Sequence, residues 1–279
     1  MKILAKHTLL LFLVVIATNC TTIQTTKIIS YNIRYDNDWD TENSWKDRRS
    51  KIVSLLKGEN PAIFGVQEGL INQVSYIDSS FSEYKYIGIG RDGEDRGEFS
   101  PIFYDSSKFT LLKSNTFWLS ETPDSISIGW DAMLNRICTY GLFENKITSE
   151  KLWILNTHFD HKGELARKNA AKLILKKIQQ INSANYPLVL MGDFNLTPEE
   201  NPIQTLKTAL DDAIKISKTT LEGPTGTFNG FNNKEKVTTK IDYFFTKNLT
   251  VQTYTHINDR LDNSKHISDH LPIMITINQ

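Results

Sequence analysis

Asn32, Glu68, His158, Asp193, Asn195, Asp269 and His270 fall in five short polar clusters that bound apolar runs: Tyr31-Asn32, Val66-Gln67-Glu68, Asn156-Thr157-His158, Met191-Gly192-Asp193-Phe194-Asn195 and Ser268-Asp269-His270. Carboxylates and side-chain amides are hard oxygen donors for a small divalent cation, and an imidazole moves protons near neutral pH. Strands ending at one edge of a sheet can gather such groups around a common cleft. Each cluster alone also has a plainer reading. Asp193 and Asn195 suit a turn after a strand, and Glu68 suits the N-terminus of a helix near 69–80. His158 and His270 could be structural histidines, and Asp269 one half of a loop ion pair.

The elements that must position these groups are legible in the apolar pattern. Stretches 27–31, 62–66, 84–89, 101–104, 137–143, 152–157, 187–191, 241–245 and 271–277 are rich in β-branched and aromatic residues and read as strands. Residues 45–56 carry apolar side chains at helical spacing behind Asn43 and Ser44, and Gly58 closes the run. Residues 165–181 place Leu165, Ala170, Leu173, Ile174 and Ile178 on one side, with Lys168, Lys172, Lys176 and Lys177 mostly on the other. Strands around 101–118 and 137–157 follow one another without an intervening helix, which disfavours a purely parallel sheet. The pattern predicts an α/β fold of two mixed sheets packed face to face with helices outside.

Length and charge narrow the reading. The 279 residues, 39% hydrophobic and 10% aromatic, suffice for one sizeable core without repeats or a dividing linker. Residues 1–19 differ from the rest: Lys2 and Lys6 precede an apolar run at 9–17, too short to span a bilayer, as in a secretory signal. Cys20 resembles the lipid acceptor of a bacterial lipoprotein, although Asn19 stands where a small residue is preferred. The expectation is therefore a signal at 1–19, a tether at 20–26, one catalytic domain at 27–279, and an exported protein at the cell envelope. If Cys20 carries lipid, Cys138 has no disulfide partner. Without residues 1–19 the chain holds 30 basic and 32 acidic residues, which weakens a role in gripping long nucleic acid.

Taken in order, Ser30-Tyr31-Asn32-Ile33-Arg34-Tyr35, Gln67-Glu68, Asn156-Thr157-His158-Phe159-Asp160-His161, Gly192-Asp193-Phe194-Asn195, Ile241-Asp242-Tyr243 and Ser268-Asp269-His270-Leu271-Pro272 resemble the endonuclease/exonuclease/phosphatase superfamily, whose members are similar to deoxyribonuclease I. The resemblance covers about 27–279 and implies a four-layer sandwich and a metal-dependent phosphoesterase. It implies that Glu68, with Asn32 and Asp269, holds Mg²⁺ or Mn²⁺. Asp193 would orient or deprotonate the attacking water, Asn195 would bind the phosphate, and His270, steadied by Asp242, would donate to a phosphoryl oxygen. His158 matches a phosphate-contacting or acid histidine. Arg34 and Arg136 are further candidates for phosphate, because a guanidinium pairs with oxyanions; either could instead serve an ion pair. No cysteine cluster or His-Glu-x-x-His stretch supports zinc.

Specificity is expected in the loops at 36–44, 90–100, 121–130 and 220–236, where Trp39, Trp45, Trp118 and Trp130 either stack on substrate or anchor the fold. The substrate expected is a small or exposed phosphate ester, mono- or diester. A nuclease and a catalytically silent surface binding protein are the alternatives. A monomer without a dedicated protein partner is expected.

Overall fold

The computed structural model describes residues 25–278. The expected signal and Cys20 lie outside the described residues. Thr25 and Thr26, expected at the end of a tether, belong to the first strand, β1 (Thr25–Asn32), and the rest of the expected tether lies outside the described residues.

Two six-stranded mixed sheets pack against each other. In the first, β1 lies between β12 (Ile273–Asn278) and β2 (Ile63–Gln67), with β11 (Val251–His256), β4 (Ile102–Asp105) and β3 (Tyr84–Ile87) completing the order β11-β12-β1-β2-β4-β3. The second runs β5 (Phe109–Trp118), β6 (Ile137–Asn145), β7 (Lys151–His158), β8 (Leu188–Asp193), β10 (Asp242–Lys247) and β9 (Asp211–Asp212). Helices α1 (Trp45–Glu59) and α2 (Ile71–Ser80) belong to the first sheet, and α3 (Glu164–Ile181) and α4 (Asn201–Leu206) to the second. A short α5 (Ala213–Ile216) follows β9.

The period-2 alternation of strands explains the layers. Ile28, Ile63, Ile154, Val189, Met191 and Phe244 point between the sheets into one apolar cluster. Their neighbours Ile29 and Phe64 point outward into a second cluster with Ile52 and Leu56 of α1. Leu155, Leu190 and Phe245 point the other way, against Ala170 and Ile174 of α3 and Ile203 of α4. Burial on both faces makes a one-residue register slip costly, because it would exchange the contents of two cores.

Several elements differ from the sequence pattern. Strand β11, with Val251 and Tyr254 inward and polar residues between, is one that the apolar count passed over, as are α4, α5 and β9. Residues 36–44 contain a 3-10 turn at Asp38–Asn43, capped by the Asn37 side chain. Leu165 is exposed in the first turn of α3, where Ala166 and Ala170 face the sheet instead. Trp45 and Trp118 are packed anchors, whereas Trp39 is 69% exposed.

His256 on β11 gives the fold a pH dependence. Burial holds its imidazole down to about 4, although the Pro224 carbonyl oxygen lies 2.7 Å from Nδ1 and favours a proton there. The unfolded chain, with histidine near its ordinary 6.5, binds protons first, so stability present above that pH is lost as pH falls toward 4. Urea unfolding at pH 7.5 and pH 5 should show a loss of about 2 kcal/mol from this group. A His256→Gln variant should lose that much less over the same interval, and equal slopes for the two proteins would refute the assignment.

Candidate active site

The alternation that fills the space between the sheets also supplies the site. Continuing the inward rows to the strand ends, β1 adds Ser30 and Asn32, β2 adds Gln67, β7 adds Asn156 and His158, β8 adds Asp193, and β10 begins with inward Asp242. Cross-strand register places His158 beside Asp193 and Asp193 beside Asp242 on three neighbouring strands, while Asn32 pairs with Gln67. Because β7 and β8 are parallel and β10 is antiparallel to β8, all three polar ends meet at one edge. Two glycines permit the approach. A Cβ on Gly65 would stand 2.5 Å from Met191 and 2.7 Å from Asn156, and Gly192 has φ +145° with the Thr157 carbonyl where a Cβ would project.

Arg34, Glu68, Arg136, His158, Asp193, Asn195, Asp269 and His270 line one cleft of about 530 Å³. Asn32 and Asp242 lie fully buried beneath it and contact its lining. The Asn32 amide nitrogen donates to Glu68 Oε1 at 3.0 Å and to Asp193 Oδ2 at 2.9 Å, while its oxygen accepts from the Arg34 backbone N–H. Asp193 Oδ1 accepts from the Asn195 N–H at 2.8 Å, and Oδ2 lies 3.5 Å from His158 Nε2 and 3.6 Å from His270 Nε2. Asp242 Oδ2 lies 2.9 Å from His270 Nδ1 and takes the Thr227 hydroxyl, an arrangement that leaves His270 Nε2 toward the cleft. Asn195 Nδ2 reaches His158 Nε2 and the Phe159 carbonyl, both at 3.0 Å.

Electrostatics follow from burial and close charges. Burial disfavours the His270 imidazolium, yet Asp242 and Asp193 outweigh it and hold the pKa well above the usual histidine range. Burial pushes Asp193 and Asp269 above the usual carboxylate range, with Asp242 adding to the first and Glu68 to the second, against the opposing pull of His270. Burial, then Arg136 and Arg91, drives His158 well below its ordinary value. The two histidines therefore differ in kind: His270 is a cation and His158 is neutral.

The donor set fits a divalent cation. Ligand atoms of Glu68, His158 and Asp193 lie within 4.8 Å of one another, and the same holds for Asp193, Asp242 and His270. The second trio is bridged by the His270–Asp242 hydrogen bond and His158 Nε2 is taken by Asn195, so the better seat is beside Glu68 and Asp193, which Asn32 joins. Glu68 has φ +65°, an unfavourable conformation for glutamate, and Oε2 is tied to the Tyr35 N–H at 3.1 Å. The buried Asp193 and half-buried Glu68 carboxylates, joined by one shared amide, gain from an added positive charge.

All ten residues expected from the sequence meet at this cleft. Glu68 does not cap α2; Gln73 does that, accepting from Leu70 N–H and Asp36 N–H while donating to the Arg34 carbonyl. Arg34 commits its Nε and Nη2 to Asp40 and leaves Nη1 3.7 Å from Asp269. Asp269 and His270 are clamped by the loop at 220–236, whose Asn229 and Gly230 N–H groups bond the Asp269 carbonyl. Sequence reasoning missed Arg91 and Glu98, which line the cleft from the 90–100 loop. Their only signal was opposite charge seven residues apart in a glycine-rich stretch. It also missed Arg48, fully buried on α1, which donates to the Ile33, Asn43 and Ile267 carbonyls and braces both sides of the site. A larger open groove of about 840 Å³ between α1 and α2 gathers none of these groups.

The model of the Endonuclease/Exonuclease/phosphatase family matches residues 29–270. A Bacteroides thetaiotaomicron structure described as a mannosyl-6-phosphatase is 33% identical, with TM-score 0.87, covering 90% of this chain and 99% of its own. An endonuclease/exonuclease/phosphatase structure from Bacteroides vulgatus is 36% identical, with TM-score 0.85, covering 91% and 98%. An uncharacterized protein of Acanthamoeba polyphaga mimivirus is 28% identical over 89% of this chain and 98% of its own length.

Glu68→Gln removes one charge at nearly constant volume. Calorimetric titration with Mn²⁺ should show affinity at least ~10-fold weaker than wild type, and the rise in melting temperature that Mn²⁺ gives the wild type should shrink accordingly. Unchanged binding would move the ion's seat away from Glu68.

Proposed function

Because the chain belongs to the endonuclease/exonuclease/phosphatase family, a family of metal-dependent phosphoester hydrolases, we propose that it hydrolyses a small or exposed phosphate ester, with Mg²⁺ or Mn²⁺ seated by Glu68, Asn32 and Asp193, and Asp269 beside them. The observation that carries this reading is the shared contact of Asn32 with Glu68 and Asp193, beside a charged His270. The ion, when bound, neutralises charge on the phosphoryl oxygens.

The protein's own groups supply the rest. Asp193 orients a water for in-line attack and takes its proton; its carboxyl is fixed at Oδ1 by the Asn195 N–H and at Oδ2 by Asn32. His270, kept protonated and aimed by Asp242, donates from Nε2 to a non-bridging oxygen as negative charge builds. Asn195 turns its side-chain N–H from His158 to the phosphate edge, and neutral His158, its hydrogen-bonded neighbour, lines the same side of the phosphate. As the new P–O bond forms, the bond to the leaving oxygen breaks, and that oxygen departs with a proton from solvent. A hexose 6-phosphate is the first substrate to offer, since a relative is described as a mannosyl-6-phosphatase. We further propose export, with Cys20 as the site of lipid attachment.

With mannose 6-phosphate and bis-p-nitrophenyl phosphate as substrates, a chelator should abolish turnover and Mg²⁺ or Mn²⁺ should restore it. Restoration by zinc alone would contradict the reading. Asp193→Ala and His270→Ala should each lose at least ~10³-fold in kcat while retaining the wild-type circular dichroism. In a bacterial host, Cys20→Ala should move the protein from the membrane to the soluble fraction, and an unchanged distribution would remove lipid attachment.

A further inference from the structure

The wall of the cleft opposite Asp269 carries charges that the hydrolytic steps leave unused. Residues 90–98 fold back on themselves through Gly90 N–H to Glu94, Arg91 N–H to Glu98 and Asp92 N–H to Arg96 backbone bonds, which sets Arg91 Nη1 2.9 Å from Glu98 Oε2. The Trp118 indole N–H, donating 2.8 Å to the Arg91 carbonyl, pins this loop to β5. Glu98 Oε2 reaches within 3.9 Å of His158 Nδ1, so the pair abuts the reacting centre.

Arg136 lies beside them, only 5% exposed. Its Nε is 3.5 Å from Asp160 Oδ2 and its Nη2 is 3.1 Å from His161 Nδ1, but its buried Nη1 has no hydrogen-bond partner among the described residues. Asp160 is itself locked by the N–H groups of Met133, Lys162 and Gly163, so it cannot swing to satisfy that nitrogen. A buried unpartnered donor on a charged group is costly unless a ligand answers it. In this cleft the ligand would be an anion, which a guanidinium fork suits.

Resting on the phosphoesterase reading, we infer that Arg136 selects terminal phosphomonoesters and that Glu98, held by Arg91, selects a hydroxyl-bearing leaving group such as a sugar or polyol. A monoester has three non-ester oxygens and a diester two. The third oxygen, with its extra negative charge, is the acceptor that Arg136 Nη1 lacks; a diester would present there an uncharged ester oxygen and the bulk of its substituent. An ionised carboxylate only accepts hydrogen bonds, so Glu98 meets hydroxyl donors favourably and repels the next phosphate of a polynucleotide.

Full-length enzyme and variants would be compared on mannose 6-phosphate, p-nitrophenyl phosphate and bis-p-nitrophenyl phosphate with Mg²⁺. Arg136→Gln should lower kcat/KM on both monoesters at least ~30-fold and on the diester less than ~3-fold. Glu98→Gln should raise KM for mannose 6-phosphate about 10-fold while leaving p-nitrophenyl phosphate, which has no hydroxyls, within about 3-fold. If Arg136→Gln does not fold, Arg136→Lys should still lower the monoester-to-diester ratio at least ~10-fold, because one ammonium cannot hold Asp160 and His161 and still reach the phosphate as the three guanidinium nitrogens do. Equal losses on monoester and diester, or on the two monoesters in Glu98→Gln, overturn the inference while leaving the phosphoesterase reading intact. Wild-type enzyme inactive on all three esters sinks that reading, and the inference with it.

Discussion

The two sheets are joined at their open edge by amide side chains, and the site depends on that join. Asn32 from the first sheet reaches Asp193 on the second, and Asn156 from the second donates to the Val66 and Pro101 carbonyls of the first. Gln67 completes the link with a 2.6 Å bond to Asn156 Oδ1. Apolar packing between sheets is non-directional and would tolerate sliding. Buried hydrogen bonds do not, because each broken one leaves a desolvated polar group. The amide seam thus fixes the relation of Glu68 to Asp193, which come from different sheets.

The cleft stores unfavourable electrostatics. Desolvated carboxyls at Asp193, Asp269 and Glu98 all line the cleft and are all pushed upward in pKa. A cation seated between Glu68 and Asp193, as proposed, would relieve part of that cost, and an anionic ester against Arg136 and His270 would relieve another part. Binding energy would then come in part from relief of electrostatic cost already present in the folded site.

Support comes from residues with no chemistry of their own. Arg48 ties the carbonyls on either side of Asn32 and Asp269 to α1, Gln73 ties residues 34–36 to α2, and Thr227 positions Asp242. Each uses a buried polar side chain to hold a loop that has few apolar contacts. Loops carrying reactive groups are commonly anchored this way.

The layers and the reactive residues could be read from the chain because both are local patterns. Short apolar runs rich in β-branched and aromatic residues mark β1, β2, β7, β8 and β10, and their polar ends mark Asn32, Glu68, His158, Asp193 and Asp242. Strand β11, with only Val251 and Tyr254 as inward apolar anchors, and the short α4 and α5 owe their form to the surfaces they cover, so their own residues announce them weakly. Arg91, Glu98 and Arg48 were silent for a related reason: a charged side chain has the same identity at the surface or in a cleft. Composition and order thus pointed to the kind of catalyst and to the groups that meet in its cleft. Tertiary packing alone decided which charges face the substrate and which of them lack partners, because burial and pairing depend on distances between residues far apart in the chain.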